Sequence, residues 1–148
     1  MEKQKLPALV VKRLVNARRD RVFKAWTDPE MMKVWFFCGE GRAEVTNDLK
    51  VGGSYRNEMF LGGACGAPEP KESHVHFGEY LEIVPPEKIV FTWSSAIVSS
   101  SVVTVELREI GAATEVVITH ELLDTELLKT QHQMGWDGCL ENLEKYFS

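Results

Sequence analysis

The sequence lacks any run of basic residues. Its 17 Lys and Arg are outnumbered by 22 Asp and Glu, which gives a formal net charge of −5. Such a chain has nothing to neutralise a phosphate backbone or an anionic membrane surface. We therefore expect neither nucleic acid nor a membrane as a partner.

Long apolar segments and paired cysteines are also missing. The apolar stretch near the N-terminus is interrupted by Lys12 and Arg13, and no later run reaches membrane-spanning length. The three cysteines, Cys38, Cys65 and Cys139, are widely spaced and contain no C-x-x-C pair. Free thiols in a reducing compartment are the simplest interpretation, so we expect a cytoplasmic protein.

Familiar catalytic motifs are absent as well. There is no Gly-rich phosphate loop, no G-x-S-x-G and no H-E-x-x-H, so a cofactor-dependent enzyme is disfavoured and no cofactor is expected. There are no internal repeats. With 148 residues, of which 44% are apolar, the chain can bury a core of its own, and we predict a single domain over residues 1–148.

The residue pattern predicts an α+β fold. A strand at 8–15 precedes a helix with Asp20 as its expected N-cap, and a second helix is expected to begin with Asp28 as N-cap and Pro29 at its first position. Short turns then separate six expected antiparallel strands. These strands are predicted at about 43–49, 53–60, 75–84, 88–94, 101–109 and 114–121.

A long amphipathic helix is predicted from Asp124 to Phe147. At about 1.5 Å per residue it would exceed thirty ångströms, enough to cross the whole sheet. Gly135 lies inside this pattern, where glycine costs about 1 kcal/mol relative to alanine, so we expect either close approach to the sheet or a kink. The apolar stripe consists of Leu127, Leu128, Met134, Leu140, Leu143 and Phe147.

Several motifs in this order resemble the activator of heat-shock-protein ATPase homologue (AHSA) family, within the START-like (SRPBCC) helix-grip superfamily. The resemblance covers nearly the whole chain. It is carried by VFKAWTDPE at 22–30, Trp35, DLKVGGSYR at 48–56, GEYLEI at 78–83, KIVFTW at 88–93, His132, Gly135, Trp136 and Leu140.

The resemblance implies a helix-grip fold: a curved antiparallel sheet wrapped around the C-terminal helix, with two short helices after the first strand. It also implies an internal cavity for a small apolar molecule of lipid, polyketide or aromatic type. The residues expected to line that cavity are Trp26, Trp35, Phe60, Phe77, Trp93, Val105, Ile118, His120, His132 and Trp136.

His120 is the most suggestive titratable residue, because strand alternation places it with Val116 and Ile118 on the face toward the helix. It could hold a ligand carbonyl or act as a general base, or it could simply be hydrogen-bonded within the core. His74 and His76 point the same way and could bind a metal with Cys65 or Glu58, but three convergent ligands are not evident, and we predict no metal.

Other features leave alternatives open. Arg56, Glu58 and Glu79 could offer acid–base chemistry at the cavity mouth or form cross-strand ion pairs on the exposed face. The Gly- and Pro-containing segment 61–73 could be a mobile gate or a plain surface loop.

Binding of a hydrophobic ligand without catalysis is the favoured function. A cyclase- or hydrolase-type enzyme and a chaperone or other protein-interaction module are the alternatives, and a homodimer is conceivable.

Overall fold

The structure is a computed structural model that describes residues 7–37, 41–61 and 73–148. Cys38, Cys65 and most of the predicted loop at 61–73 lie outside the described residues. Within them, seven strands form one antiparallel sheet in the order β1-β7-β6-β5-β4-β3-β2. The strands are β1 Leu9–Val15, β2 Gly41–Asn47, β3 Ser54–Leu61, β4 Ser73–Val84, β5 Lys88–Trp93, β6 Ser101–Ile110 and β7 Ala113–Glu121.

Alternation along the strands divides the sheet into a buried and an exposed face. In β6, Val103, Val105 and Leu107 are buried and their neighbours are more exposed. The β6–β7 register pairs Val103 with His120 and Val105 with Ile118, so one continuous row faces inward. The sheet curls around this inner face, and the C-terminal helix lies within the curl, which confirms the predicted helix-grip fold.

Two short helices cover one end of the inner face: α1 is Arg19–Thr27 and α2 is Pro29–Trp35. Asp28 caps α2 as predicted, because its carboxylate accepts a hydrogen bond of 2.9 Å from the Glu30 N–H. The prediction that Asp20 caps α1 is wrong. The N-cap position is occupied by Arg18 without a side-chain bond, and Asp20 lies in the first turn, near the positive end of the helix dipole.

The long helix α3 spans Glu126–Tyr146, and its two halves differ in burial. The C-terminal half is packed into the core through Trp136, Cys139, Leu140 and Leu143. The N-terminal half has no fully buried residue. Of the predicted apolar stripe, Leu127 and Met134 are 67% and 48% exposed, so their placement on the buried face is wrong. Leu128 is the member of this half that packs against the core.

Gly135 lies where the two halves of α3 meet. A Cβ added there would meet no heavy atom within 4 Å, so the predicted close approach to the sheet is wrong. The helix also continues unbroken through this position. Packing against the sheet therefore does not require a glycine here. The helix still carries the entropic cost of a glycine in its interior.

Candidate functional site

Eight of the ten residues predicted to line a cavity come together inside the grip, but among the ten only Trp26 lines the central cavity described below. Seven are buried and the eighth, His132, is half-buried with its ring centroid 5.1 Å from that of His120. The seven buried residues are Trp26, Trp35, Trp93, Val105, Ile118, His120 and Trp136.

Phe60 and Phe77 do not join them, which corrects the prediction. Met59 and His76 face inward on β3 and β4, so by strand alternation the next residue in each case faces outward. Phe77 is 50% exposed. Phe60 packs under the Arg42 guanidinium, whose carbon lies 3.8 Å from the ring centroid.

Five rings form one aromatic cluster at the centre of the fold. Trp26 lies 4.8 Å from Trp35 and 6.2 Å from Trp136, and Trp136 lies 5.0 Å from Trp93, all measured between ring centroids. The fifth ring, Phe36, contacts all four tryptophans. Sequence reasoning missed Phe36, although its position directly after Trp35 at the end of α2 was a usable signal.

His120 is held by a chain of hydrogen bonds that fixes its protonation. Ser101 Oγ donates to the Trp93 carbonyl at 2.7 Å, so it accepts from His120 Nε2 at 2.8 Å. The Trp136 Nε1–H donates to His120 Nδ1 at 3.1 Å. Both ring nitrogens are therefore occupied, and the imidazole is neutral with its proton on Nε2.

Burial keeps this part of the interior uncharged. Desolvation, followed by the nearby His132 and His76, lowers the pKa of His120 to about 3. Desolvation likewise lowers the pKa of His76 to about 3, with His132 and His74 contributing. Burial also lowers the pKa of His132, opposed by the hydrogen bond between its Nδ1 and the Leu128 carbonyl at 2.7 Å.

Within the part of the chain that the structure describes, several buried polar atoms near the cluster have no hydrogen-bond partner. They include the indole Nε1 of Trp26 and of Trp93, Oδ1 of Asn57, Nδ1 of His76 and Nε2 of His74. By contrast, the Trp35 indole donates to the Ala25 carbonyl at 3.0 Å. Buried polar groups are nearly always paired in native proteins, so a group of unpaired ones needs an explanation.

Three of these side chains, Asn57, His76 and Trp93, are neighbours on the inner face of the sheet. Asn57 on β3 pairs in register with His76 on β4, so their side chains are neighbours. The His76 ring stacks on Trp93 with a centroid distance of 4.1 Å. Asn57 was missed by sequence reasoning, yet it alternates with the buried Tyr55 and Met59 and could have been placed inside on that basis.

The central cavity lies beside the aromatic cluster and is very small. Its volume is about 10 Å³, the scale of a single water molecule. It is lined by Trp26, Met32, Phe36, Tyr55, Asn57, Tyr80, Ile89 and Phe91. Two of these residues, Trp26 and Asn57, carry unpartnered polar atoms.

Other candidate sites receive little support. Arg56 forms an ion pair of 3.5 Å with Glu58 on its own strand, and Glu79 is exposed. Within the described residues, no three His, Cys, Asp or Glu side chains come together in a way that could hold a metal ion. Cys139 is a buried free thiol, and burial raises its pKa to about 12, which suits packing rather than nucleophilic chemistry.

A second, larger space is an open groove of about 510 Å³ between the β1 and β7 ends and the end of α3. Polar and charged residues line much of it, and Glu144 there is engaged by Arg13 at 3.1 Å. None of its lining residues carries an unpartnered buried polar atom. Among the described segments, no helix is both long and apolar enough to cross a membrane.

The sequence profile described as activator of Hsp90 ATPase homolog 1-like protein matches residues 16–148. The chain belongs to this family. The family assignment confirms the resemblance drawn from the motifs. No curated protein matches the chain.

Solved structures similar to this AHSA1-like chain share its fold. Protein CV1439 from Chromobacterium violaceum has a TM-score of 0.78 at 24% identity, over 96% of this chain and 98% of that one. A protein from Rhizobium leguminosarum has a TM-score of 0.77 at 27% identity, over 97% and 95%. DynU16, a protein of the dynemicin biosynthetic locus, has a TM-score of 0.75 at 21% identity, over 95% of this chain and 47% of its own.

Proposed function

We propose that this AHSA1-like protein binds a small, mostly apolar organic molecule between the sheet and α3, without catalysing a reaction. The observation that carries the proposal is the group of unpartnered polar atoms inside an aromatic interior. Trp26, Asn57 and Trp93 are 1%, 2% and 3% exposed. An unpaired buried polar group costs about 1–3 kcal/mol, so an occupant that pairs with these atoms would gain that energy.

Apolar surface supplies the rest of the expected affinity. The five rings of the aromatic cluster offer flat, apolar contact area, and binding sites for small molecules combine such surfaces with a few placed polar groups. The family and the fold are consistent with small-molecule binding, and DynU16 gives an example of the same fold in a biosynthetic locus.

A cavity of about 10 Å³ requires the protein to open before such a molecule enters. The N-terminal half of α3 is the part suited to move, because it has no fully buried residue and is joined to the packed half at Gly135. A segment with few buried apolar contacts opens at low free-energy cost. We therefore place the entry route under this half of the helix, where His132 lies against Trp93 of the aromatic cluster. The cavity itself lies deeper, under α1 and α2, and no residue of α3 lines it.

The geometry gives no support to His120 as a general base. A base must offer a free lone pair to the proton it removes, and His120 Nδ1 already accepts from the Trp136 indole. A cyclase- or hydrolase-type reaction through His120 would first have to break this buried hydrogen bond. If a reaction were found, an unchanged rate in His120→Ala would exclude the residue.

The proposal is tested by native mass spectrometry of freshly purified protein, followed by titration with a panel of lipids, flavonoids and polyketides. We expect a retained or added molecule at a 1:1 ratio. Phe36→Leu, inside the cluster, should change the affinity, whereas the same substitution at the exposed Phe77 should leave it unchanged. Circular dichroism checks that both variants fold.

Two results would contradict the proposal. One is that no member of the panel is retained or bound by the folded protein. The other is that Phe77→Leu abolishes binding and Phe36→Leu does not, which would move the site to the outer face of the sheet.

A further inference from the structure

The chemistry of the central cavity restricts what its occupant can be. Trp26 offers an indole N–H, which only donates, and Asn57 offers an amide oxygen, which only accepts. Both residues line the same small space. A group placed between them must therefore accept one hydrogen bond and donate another within about the volume of a water molecule.

A hydroxyl group meets both requirements. A carbonyl or ether oxygen can accept from Trp26 but cannot donate to Asn57, and a hydrocarbon can do neither. The geometry points to an occupant that is an uncharged phenol or alcohol, with its hydroxyl held between Trp26 Nε1 and Asn57 Oδ1 and its apolar body against the aromatic cluster. This inference rests on the proposed function and specifies the ligand class of that site.

The surroundings favour a neutral occupant over an ionised one. Burial lowers the pKa of His76, His120 and His132 and raises the pKa of Tyr55, Tyr80 and Cys139, so these six side chains are uncharged near pH 7. Among the described residues, no Lys, Arg, Asp or Glu lines the cavity. The titratable residues on the inner side of the fold are Tyr55 on β3, His74, His76 and Tyr80 on β4, His120 on β7, and His132 and Cys139 on α3.

A carboxylate placed there would have to lose its hydration without a positive partner, which is costly in a medium of low dielectric. A neutral hydroxyl pays a much smaller desolvation cost and regains it in two hydrogen bonds. The site should therefore discriminate by charge as well as by hydrogen bonding.

The test uses four probes with the same ring body: 1-naphthol, 1-methoxynaphthalene, naphthalene and 1-naphthoate. Isothermal titration with the whole chain should give an affinity for 1-naphthol at least about tenfold higher than for each of the other three. Comparing probes on the unchanged protein avoids any question of whether a variant folds.

A spectroscopic measurement locates the hydroxyl. In a ¹H–¹⁵N spectrum, the unpartnered Trp26 indole proton should shift downfield on adding 1-naphthol, and less on adding naphthalene. Phe77→Leu is the control for Trp26→Phe, because Phe77 is an exposed aromatic that lies outside the aromatic cluster and does not line the cavity. We expect Trp26→Phe, and not Phe77→Leu, to remove the preference for 1-naphthol over 1-methoxynaphthalene.

The outcomes separate the two proposals. Equal binding of 1-naphthol, its methyl ether and naphthalene, or preferred binding of 1-naphthoate, would overturn the hydroxyl assignment and leave the ligand-binding function standing. Failure of all four probes and of the wider panel to bind would overturn both. Preferred binding of 1-naphthol with no shift of the Trp26 indole proton would also overturn the assignment.

Discussion

Replacing Gly135 by alanine tests how α3 sits on the sheet. Alanine is favoured over glycine in the middle of a helix by about 1 kcal/mol, because it loses less backbone entropy on folding. The new methyl group meets no heavy atom within 4 Å, so no packing cost opposes this gain. We expect the free energy of unfolding to rise by about 1 kcal/mol.

The gain is measurable by two methods. For a chain of this size, 1 kcal/mol corresponds to a rise in Tm of about 2–4 °C. In urea, the unfolding midpoint should move to higher concentration while the slope is unchanged, since the surface exposed on unfolding is nearly the same.

Two other glycines provide controls with opposite expectations. Gly52 also has open space around it, but its φ of +85° is a left-handed conformation, so Gly52→Ala should cost about 1–2 kcal/mol. Gly78→Ala should be more damaging, because its Cβ would lie 2.1 Å from the Thr92 carbonyl oxygen. A Gly135→Ala variant less stable than the wild type would refute the reasoning and show that the helix does need a bare backbone at this point.

Three further predictions concern single contacts. The pKa of His120 is about 3 in the folded state and 6.5 in the unfolded state, so its contribution to the free energy of unfolding is complete above pH 6.5. Its contribution is lost as the pH falls toward 3, by about 2 kcal/mol at pH 5. The pKa of His76 is lowered in the same way, so urea titrations at pH 7 and pH 5 measure the summed loss, and NMR titration of the His120 ring isolates its own part; a His120 ring titrating above pH 5 contradicts the prediction. Trp136→Phe strands His120 Nδ1 and should cost about 1–3 kcal/mol in chemical denaturation, more than Trp93→Phe, whose indole has no partner; equal losses would argue against the hydrogen-bond chain. Asp28→Ala should lower Tm through the loss of about 1 kcal/mol of capping energy, and Asp20→Ala by less than half of that; the reverse order would restore Asp20 as a cap.

Much of the fold could be predicted from the sequence because its signals are local and periodic. Alternation in β6 and β7 gave both the strands and the inward direction of His120. The Asp28-Pro29 pair gave the start of α2, since a side-chain cap and a proline at the first helical turn act within a few residues. Family motifs then supplied the arrangement of these elements.

The candidate site was less predictable because it depends on contacts between distant elements. Periodicity could place Trp136 and His120 on facing surfaces but could not show that the indole donates to Nδ1. Phe60 and Phe77 were predicted to line the cavity because they are large aromatics. The register of β3 and β4 decides which face of the sheet they occupy, and it places them outward. The size of the cavity depends on how completely Met32, Phe36 and their neighbours fill it, and no local pattern encodes that.

The small volume of the central cavity also limits how fast a ligand can bind. If a ligand enters only while the interior is open, the observed association rate will rise with ligand concentration and then level off at the opening rate. The measured affinity will be weaker than the intrinsic one by the fraction of molecules that are open at any moment. Release of the ligand faces the same barrier, so a protein that binds slowly also releases slowly. Slow release suits the transfer of a molecule between sites better than the buffering of its free concentration.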